Sequence, residues 1–284
     1  MLRFFRWVWC LCVGLVLVGV SQVAAQPFNP ELILATTTST QDSGLLETLV
    51  PMFEQQSGYR VKTISVGTGQ AMTLGARGEA DVLLVHAPES EKKLMAEGHG
   101  TDRKLVMFND FVVIGPLADP AGIMAAEAAD EVMQRIAMAN VPFISRGDNS
   151  GTHQLELQLW RAALIEPRGQ GWYMEVGQGM GQTLTVANER LAYTITDRGT
   201  YLARQRTLDL AIQAQGYQSF LNVYHVITVN PNKGSHINIA GGQAFVAFIL
   251  APETQAIIGQ FGVEKFGQPL FFPAADKTDE ELGV

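Results

Sequence analysis

Short apolar segments alternate with amphipathic ones at the start of the chain, and this alternation limits the possible folds more than any other feature. Three segments have the composition of strands, and the two between them carry apolar side chains at helical spacing. In chain order the five segments are residues 32–36, 45–56, 60–65, 71–77 and 81–86. A β-α-β-α-β order predicts a mainly parallel sheet with helices on both faces. Pro51 is expected to kink or split the first helix.

The middle of the chain repeats this alternation and predicts a second α/β unit. Its predicted helices and strands cover residues 125–139, 142–145, 151–164, 181–190 and 191–196. A last helical tract follows at residues 242–259. Because Pro252 lies inside this tract, we expect two helices with a break near Ala251.

Two apolar strands flank the second unit and predict a hinge. They are residues 111–115 and residues 223–229. The chain is too long for one small domain, so we expect an α/β protein of two lobes, each a mainly parallel sheet flanked by helices. The expected division is 26–112 plus 226–284 for lobe 1 and 113–225 for lobe 2.

The N-terminal segment has the pattern of a secretory signal peptide. Arg3 and Arg6 precede an apolar stretch at residues 7–20, and a small-x-small pattern ends at Ala25. We therefore predict cleavage after about Ala25 and export to the periplasm. A retained membrane anchor is the alternative, which the short apolar stretch disfavours.

Removal of residues 1–25 would leave a chain without cysteine and with a larger negative charge. The whole chain has a formal net charge of −8, and both its cysteines, Cys10 and Cys12, precede the cleavage site. The mature chain then forms no disulfide and no thiolate metal site. No basic stripe is visible, which argues against a nucleic-acid partner. A bound anion must be held by local dipoles rather than by long-range attraction.

Two runs rich in hydroxyl groups and glycine, residues 36–44 and 145–153, each lie between a predicted strand and a predicted helix. Free backbone N–H groups and small hydroxyls at a helix N-terminus form an anion-binding cradle. In the first run we expect Thr37, Thr38 and Ser39 to face this cradle. The alternative is that these residues simply continue the strand.

The second run adds a positive charge, because Arg146 can offer two parallel donors to an oxyanion. The alternative is a surface arginine paired with Asp148. Ser150 is expected to cap the helix, which exposes the amides of Gly151 and Thr152. His153 is interpreted as a capping or packing residue rather than a ligand or base.

Two weaker signals occur at the ends of other predicted strands. Thr68 lies in a Gly-Thr-Gly turn, where open α/β sheets bind ligands. Thr194 or Thr196 could reach a cleft, although Asp197 and Arg198 could equally form a structural turn. The segment at residues 177–181 lacks the spacing of a dinucleotide-binding motif and is interpreted as a loop.

Signals of catalysis are few. The sequence has no Gly-x-Ser-x-Gly, His-Glu-x-x-His or Walker motif, and its five histidines are dispersed. We therefore predict a binding protein rather than an enzyme, with no cofactor. Two alternatives remain at this point: a secreted phosphate- or sulfate-ester hydrolase, and a receptor for a small carboxylate that uses Trp172 and Tyr173 as an apolar wall.

Four segments, residues 35–46, 145–153, 177–181 and 193–201, resemble the tungstate-binding receptors of tungstate ABC importers. The resemblance implies a type II periplasmic-binding-protein fold that closes on tungstate or molybdate, an ABC permease partner and a monomer. The implied oxyanion contacts are Thr37, Thr38, Ser39, Thr68, Arg146, Ser150, Gly151 and Thr152. Molybdate- and phosphate-binding receptors share this layout, so the ligand stays open.

Overall fold

The computed structural model describes residues 27–284; the predicted signal peptide and its cleavage site lie outside the described residues. The strands are β1 (Glu31–Thr37), β2 (Arg60–Val66), β3 (Val82–Val85), β4 (Gly100–Pro116), β5 (Phe143–Ser145), β6 (Tyr173–Glu175), β7 (Thr194–Asp197), β8 (Leu210–Ala214), β9 (Leu221–Val229) and β10 (Phe272–Pro273). The helices are α1 (Thr38–Asp42), α2 (Leu45–Ser57), α3 (Thr68–Arg77), α4 (Pro88–Ala96), α5 (Ala129–Ala139), α6 (Gly151–Ala162), α7 (Met180–Glu189), α8 (Arg198–Arg204), α9 (Ile239–Leu250), α10 (Pro252–Gln260), α11 (Val263–Phe266) and α12 (Asp279–Leu282).

The first part of the chain forms the expected β-α-β-α-β unit. Strand β1 pairs in parallel with β2 on one side and β3 on the other, and the sheet continues through β9, β4 and β10. Strand β9 is antiparallel to both β3 and β4, so β1, β2, β3 and β4 all run in one direction. In the second unit β7 and β8 run antiparallel to β4, and β5 pairs in parallel with β6.

Strand β4 belongs to both sheets. It pairs with β9 from Gly100 to Asp110, and from Phe111 to Pro116 it pairs with β7 and β8. The predicted strand at 111–115 was therefore much too short, because residues 100–104 are polar and Asn109 and Asp110 interrupt the apolar pattern of β4. Asp110 lies opposite Leu221 where β4 and β9 pass between the two sheets. The division of the chain at residues 112 and 226 stays a prediction.

Separate apolar cores support the two units. In the first, Leu34, Leu49, Phe53, Val226 and Phe245 are buried together. In the second, the core is built around Val113, Phe143, Trp160, Tyr193 and Ile195. Each sheet is thus held by its own core.

The two prolines expected to interrupt helices behave differently. Pro51 lies on the exposed face of α2, which continues unbroken from Leu45 to Ser57, so the expected split was wrong. Water can solvate the carbonyl that loses its partner there. Pro252 does end a helix: α9 stops at Leu250, and Ala251 is extended, as predicted. Among residues 27–284 no single helix is long and apolar enough to cross a membrane.

Candidate functional site

The first hydroxyl-rich run ends β1 and forms a short helix of its own. Strand β1 stops at Thr37, whose hydroxyl accepts a hydrogen bond from the Thr40 amide at 3.3 Å and caps α1. The run therefore does not continue the strand. Gly44, at φ 82°, then separates α1 from α2. The free amides of Thr38 and Ser39 thus belong to α1, an element that the hydrophobic pattern did not reveal.

The second run has the predicted cap. Ser150 accepts a hydrogen bond from the His153 amide at 3.3 Å, and α6 begins at Gly151. Asp148 accepts a hydrogen bond from the Ser150 amide at 3.1 Å, which ties the loop to the helix start. The imidazole of His153 is buried and its Nδ1 accepts from the Asn149 amide at 2.9 Å, in agreement with a capping role.

Arg146 is paired with Asp148, but it is not a surface residue. Only 7 % of Arg146 is exposed, and its Nε and Nη2 donate to Asp148 Oδ2 at 3.2 and 2.5 Å. This pairing uses one edge of the guanidinium and leaves Nη1 and the second Nη2 hydrogen for another acceptor. Burial alone would raise the pKa of Asp148, but hydrogen bonds from Ser150 and the charge of Arg146 hold that pKa below its ordinary value.

The two runs meet at the side chain of His86, which follows β3. Its Nε2 lies 2.9 Å from Thr37 Oγ1 and 3.2 Å from Ser39 Oγ. A Cβ atom on Gly151 would lie 3.1 Å from His86 Cε1 and 3.7 Å from Thr68 Oγ1. His86 therefore lies between the hydroxyls of Thr37 and Ser39 and the start of α6, and Thr68 lies close to the same helix start. Motif reading missed His86, although the end of a parallel strand is where such a residue is expected.

A cleft of about 1170 Å³ opens beside this meeting point. Thr38, Ser39 and Arg146 line it, together with Asp42 and the Gly179–Gly181 segment at the start of α7. A second cavity, of about 350 Å³, is lined by Gly151 and His86. Four of the predicted residues therefore line one cavity or the other: Thr38, Ser39, Arg146 and Gly151.

The remaining predicted threonines differ in what their hydroxyls can do. Thr68 and Thr152 are buried, and they lie in the first turns of α3 and α6. Thr196 is fully buried, donates to the carbonyl of Asp197 at 3.1 Å and lines neither cavity. Thr194 donates to the Ile144 carbonyl at 2.7 Å. Thr68 thus lies close to Gly151, whereas the Thr196 hydroxyl is bonded to the neighbouring carbonyl; the role of these threonines in binding stays a prediction.

Trp172 and Tyr173 do not form a wall of the cleft. Both pack against the core of the second unit, with ring centroids 5.3 and 6.3 Å from Trp160. Tyr173 also donates to Glu156 Oε1 at 2.7 Å. The idea of an aromatic wall for a carboxylate ligand was therefore wrong. Within residues 27–284 no three His, Cys, Asp or Glu side chains are grouped so as to hold a metal ion.

Glu156, one turn beyond the start of α6, is a buried carboxyl group that the sequence did not single out. Trp160 Nε1 and the Tyr173 hydroxyl both donate to its Oε1. Burial raises the pKa of Glu156 to about 7, and these hydrogen bonds only partly oppose the change. The group is therefore protonated in the folded protein over a pH range in which the unfolded chain is ionised.

Glu156→Gln is expected to remove part of the pH dependence of stability. Between about pH 4.5 and 7 the folded protein holds a proton that the unfolded chain has lost, so its stability falls as pH rises and levels off above 7. Each unit of pKa difference corresponds to about 1.4 kcal/mol. In urea unfolding from pH 5 to 8, the stability of Glu156→Gln should change less with pH than that of wild type. At pH 8 the variant should be more stable than wild type. Glu189→Gln, exposed on α7, is the control; equal profiles for both variants would contradict the prediction.

Comparison with known proteins identifies the family. The model of the PBP superfamily domain matches residues 23–253. A protein of Peptoclostridium acidaminophilum named tungstate-binding protein TupA is 48 % identical over 248 residues, which are 87 % of this chain and 86 % of that protein. The chain belongs to the TupA family of the PBP superfamily.

Two solved structures support the same family. The TupA tungstate-binding protein from Desulfovibrio alaskensis G20 has a TM-score of 0.78 at 42 % identity, covering 87 % of this chain and 99 % of its own. The structure described as the tungstate ABC transporter from Geobacter sulfurreducens has a TM-score of 0.74 at 48 % identity, covering 81 % and 98 %. The prediction of a two-lobed type II periplasmic-binding-protein fold is confirmed.

Proposed function

We propose that this TupA-family protein is the extracytoplasmic receptor of an ABC importer and that it binds tungstate or molybdate between its two lobes. One observation carries the proposal: hydroxyls from β1, α1 and α3 and the N-terminus of α6 meet around His86, next to the buried guanidinium of Arg146. Relatives that are nearly half identical are named for tungstate binding, which supports the ligand.

The proposed contacts come from both lobes. Thr37, Thr38, Ser39 and Thr68 belong to one lobe, and Arg146, Ser150, Gly151 and Thr152 to the other; we call these eight residues the cradle. Thr196 is left out because its hydroxyl is committed to Asp197. We further propose residues 26–112 plus 226–284 and residues 113–225 as the two lobes, a signal peptide at residues 1–25, a periplasmic monomer and a permease partner.

Binding depends on replacing the hydration of a dianion by fixed donors. Each hydrogen bond to a charged group contributes roughly 1.5–3 kcal/mol, and a helix N-terminus adds about 0.3–1 kcal/mol. Several such donors can offset the loss of water. Because the donors come from both lobes, the anion stabilises the closed state, and the permease can recognise that state. We propose no catalytic role and no cofactor, since the relatives are named as binding proteins.

Calorimetry of the mature protein against tungstate, molybdate, sulfate, phosphate and small carboxylates tests the function. Tight binding of tungstate or molybdate is expected. Tight binding of a carboxylate with no response to the metal oxyanions would overturn the assignment. Hydrolysis of a chromogenic phosphate or sulfate ester would do so as well.

Phosphate is expected to bind more weakly than tungstate. Near pH 7 phosphate keeps a proton, whereas tungstate has none, and the cradle contains no carboxylate that could accept it. A buried O–H group without an acceptor costs about 1–3 kcal/mol, or roughly 5- to 150-fold in affinity. Asp148 is already bonded to Arg146 and Ser150, but Asp42 lines the cleft. Equal calorimetric affinities for both anions would contradict this expectation, and Asp42→Asn would then show whether Asp42 accepts the phosphate proton.

A further inference from the structure

His86 connects the cradle with the strands that pass between the lobes. Its Nε2 faces the hydroxyls of Thr37 and Ser39, and its Nδ1 lies 2.8 Å from Asn222 Oδ1 on β9. Asn222 Nδ2 donates to Asn109 Oδ1 on β4 at 2.7 Å, and these two asparagines are paired across the strands. The imidazole is buried and held on both of its nitrogen atoms.

The hydrogen bonds of Asn222 determine where His86 carries its proton. Asn222 Nδ2 is used as a donor to Asn109 Oδ1 and lies 3.1 Å from the Tyr224 hydroxyl, so Oδ1 is the atom that faces the ring. An amide oxygen only accepts, and therefore His86 Nδ1 bears the hydrogen. In the neutral ring Nε2 is then an acceptor, and a hydroxyl of Thr37 or Ser39 must turn its hydrogen toward the ring.

This orientation opposes oxyanion binding, because the anion needs the same hydroxyl hydrogens. A proton taken from solvent onto Nε2 reverses the orientation. Nε2–H then donates to the oxygen of Thr37 or Ser39, and the hydroxyl hydrogen that the neutral ring engaged is released and can point at the anion. We propose, as an extension of the proposed function, that His86 is a positioning residue of the cradle and takes up this proton when the oxyanion binds.

The surroundings of the ring are consistent with a neutral unliganded state. Burial lowers the pKa of His86 below its ordinary value, whereas the hydrogen bond to Asn222 opposes this decrease. The ring also stacks on Tyr224, with centroids 4.6 Å apart. The charged groups that act on the ring are the carboxylates of Glu91 and Asp197, which raise its pKa, and the guanidinium of Arg146, which lowers it. A dianion in the cradle adds negative charge and favours the imidazolium.

The direction in which affinity changes with pH follows from the effect of the ligand on the pKa of His86. The pKa of His86 is higher in the liganded protein than in the unliganded one, so affinity rises as pH falls through the liganded pKa and levels off below the unliganded one. Wild-type protein should therefore bind tungstate more tightly at pH 6.5 than at pH 8. Calorimetry at pH 7 in buffers of different ionisation enthalpy should show net proton uptake.

His86→Gln keeps a polar side chain but cannot take up the proton. We expect it to abolish the uptake, flatten the pH profile and lower affinity at pH 7 about 10-fold, a value typical of one charge-assisted hydrogen bond. His236→Gln, an exposed histidine, is the matched control. Asn222→Asp places a carboxylate against Nδ1–H and should hold the ring charged before ligand arrives, so uptake is lost while affinity is retained.

Two other groups near α6 can titrate close to neutral pH, and the experiment separates them. They are His153 and Glu156. Proton uptake that survives in His86→Gln but disappears in His153→Gln or Glu156→Gln would overturn the proposal. Tight tungstate binding by wild type without proton uptake would overturn it as well. Failure of wild type to bind any oxyanion would instead refute the proposed function. Nitrogen-15 spectra of the imidazoles provide the direct readout: the His86 signals should change from the Nδ1–H tautomer to the doubly protonated ring on addition of tungstate.

Discussion

Arg146→Ala is expected to lower the affinity for tungstate about 30-fold to several thousand-fold. This range corresponds to the roughly 2–5 kcal/mol that is lost when one partner of a buried charge pair is removed. The guanidinium is buried at the cleft, and one of its edges is free of Asp148. The substitution also leaves the carboxylate of Asp148 without its counter-charge next to the anion, so repulsion adds to the lost hydrogen bonds.

The fold should tolerate this change. Ser150 caps α6 through its own hydroxyl, and Asp148 bonds to the Ser150 amide independently of Arg146. Arg204→Ala is the matched control, because Arg204 lines the same cleft but is exposed and donates to the Gly181 carbonyl. Calorimetry gives the affinities and thermal unfolding checks the fold. If both variants bind tungstate as wild type does, Arg146 does not contact the anion.

Gly151→Ala is expected to weaken tungstate binding because the two lobes could no longer approach fully. The added Cβ would lie 3.1 Å from Cε1 and 3.3 Å from Nδ1 of His86. His86 is held by Thr37 and Asn222, so the ring has little freedom to move away. Overpacking of this kind costs about 1–3 kcal/mol, which is roughly 5- to 150-fold in affinity.

The backbone at Gly151 does not complicate this test. Gly151 starts α6 and is not among the glycines with positive φ, so alanine fits its conformation. Gly69→Ala is the matched control: it also lies in the first turn of a helix at the cradle, and its added Cβ meets nothing within 4 Å. Spin labels on one introduced cysteine in each lobe would report closure without interference in a protein of residues 26–284, since this part of the sequence contains no cysteine. Normal closure and affinity in Gly151→Ala would show that the His86 contact does not limit closing.

The parts of the fold that depend on local chemistry were predictable. The β-α-β-α-β opening follows from side-chain periodicity. The Ser150 cap follows from a hydroxyl at a helix start, and the break at Ala251 follows from the proline next to it. The first part of strand β4 and the whole of helix α1 were missed, because polar residues interrupt or replace the apolar pattern there. The start of β4 is polar, and α1 is a five-residue helix of threonine, serine, glutamine and aspartate.

The sequence by itself determined the α/β class, the two candidate runs and the presence of one arginine among their donors, because these properties are set by neighbouring residues. Only the tertiary structure decided which hydroxyls meet. It brought Gly151 against His86, a residue 65 positions earlier in the chain. Contacts of this kind depend on how two separately folded lobes pack together, and no local pattern encodes that geometry.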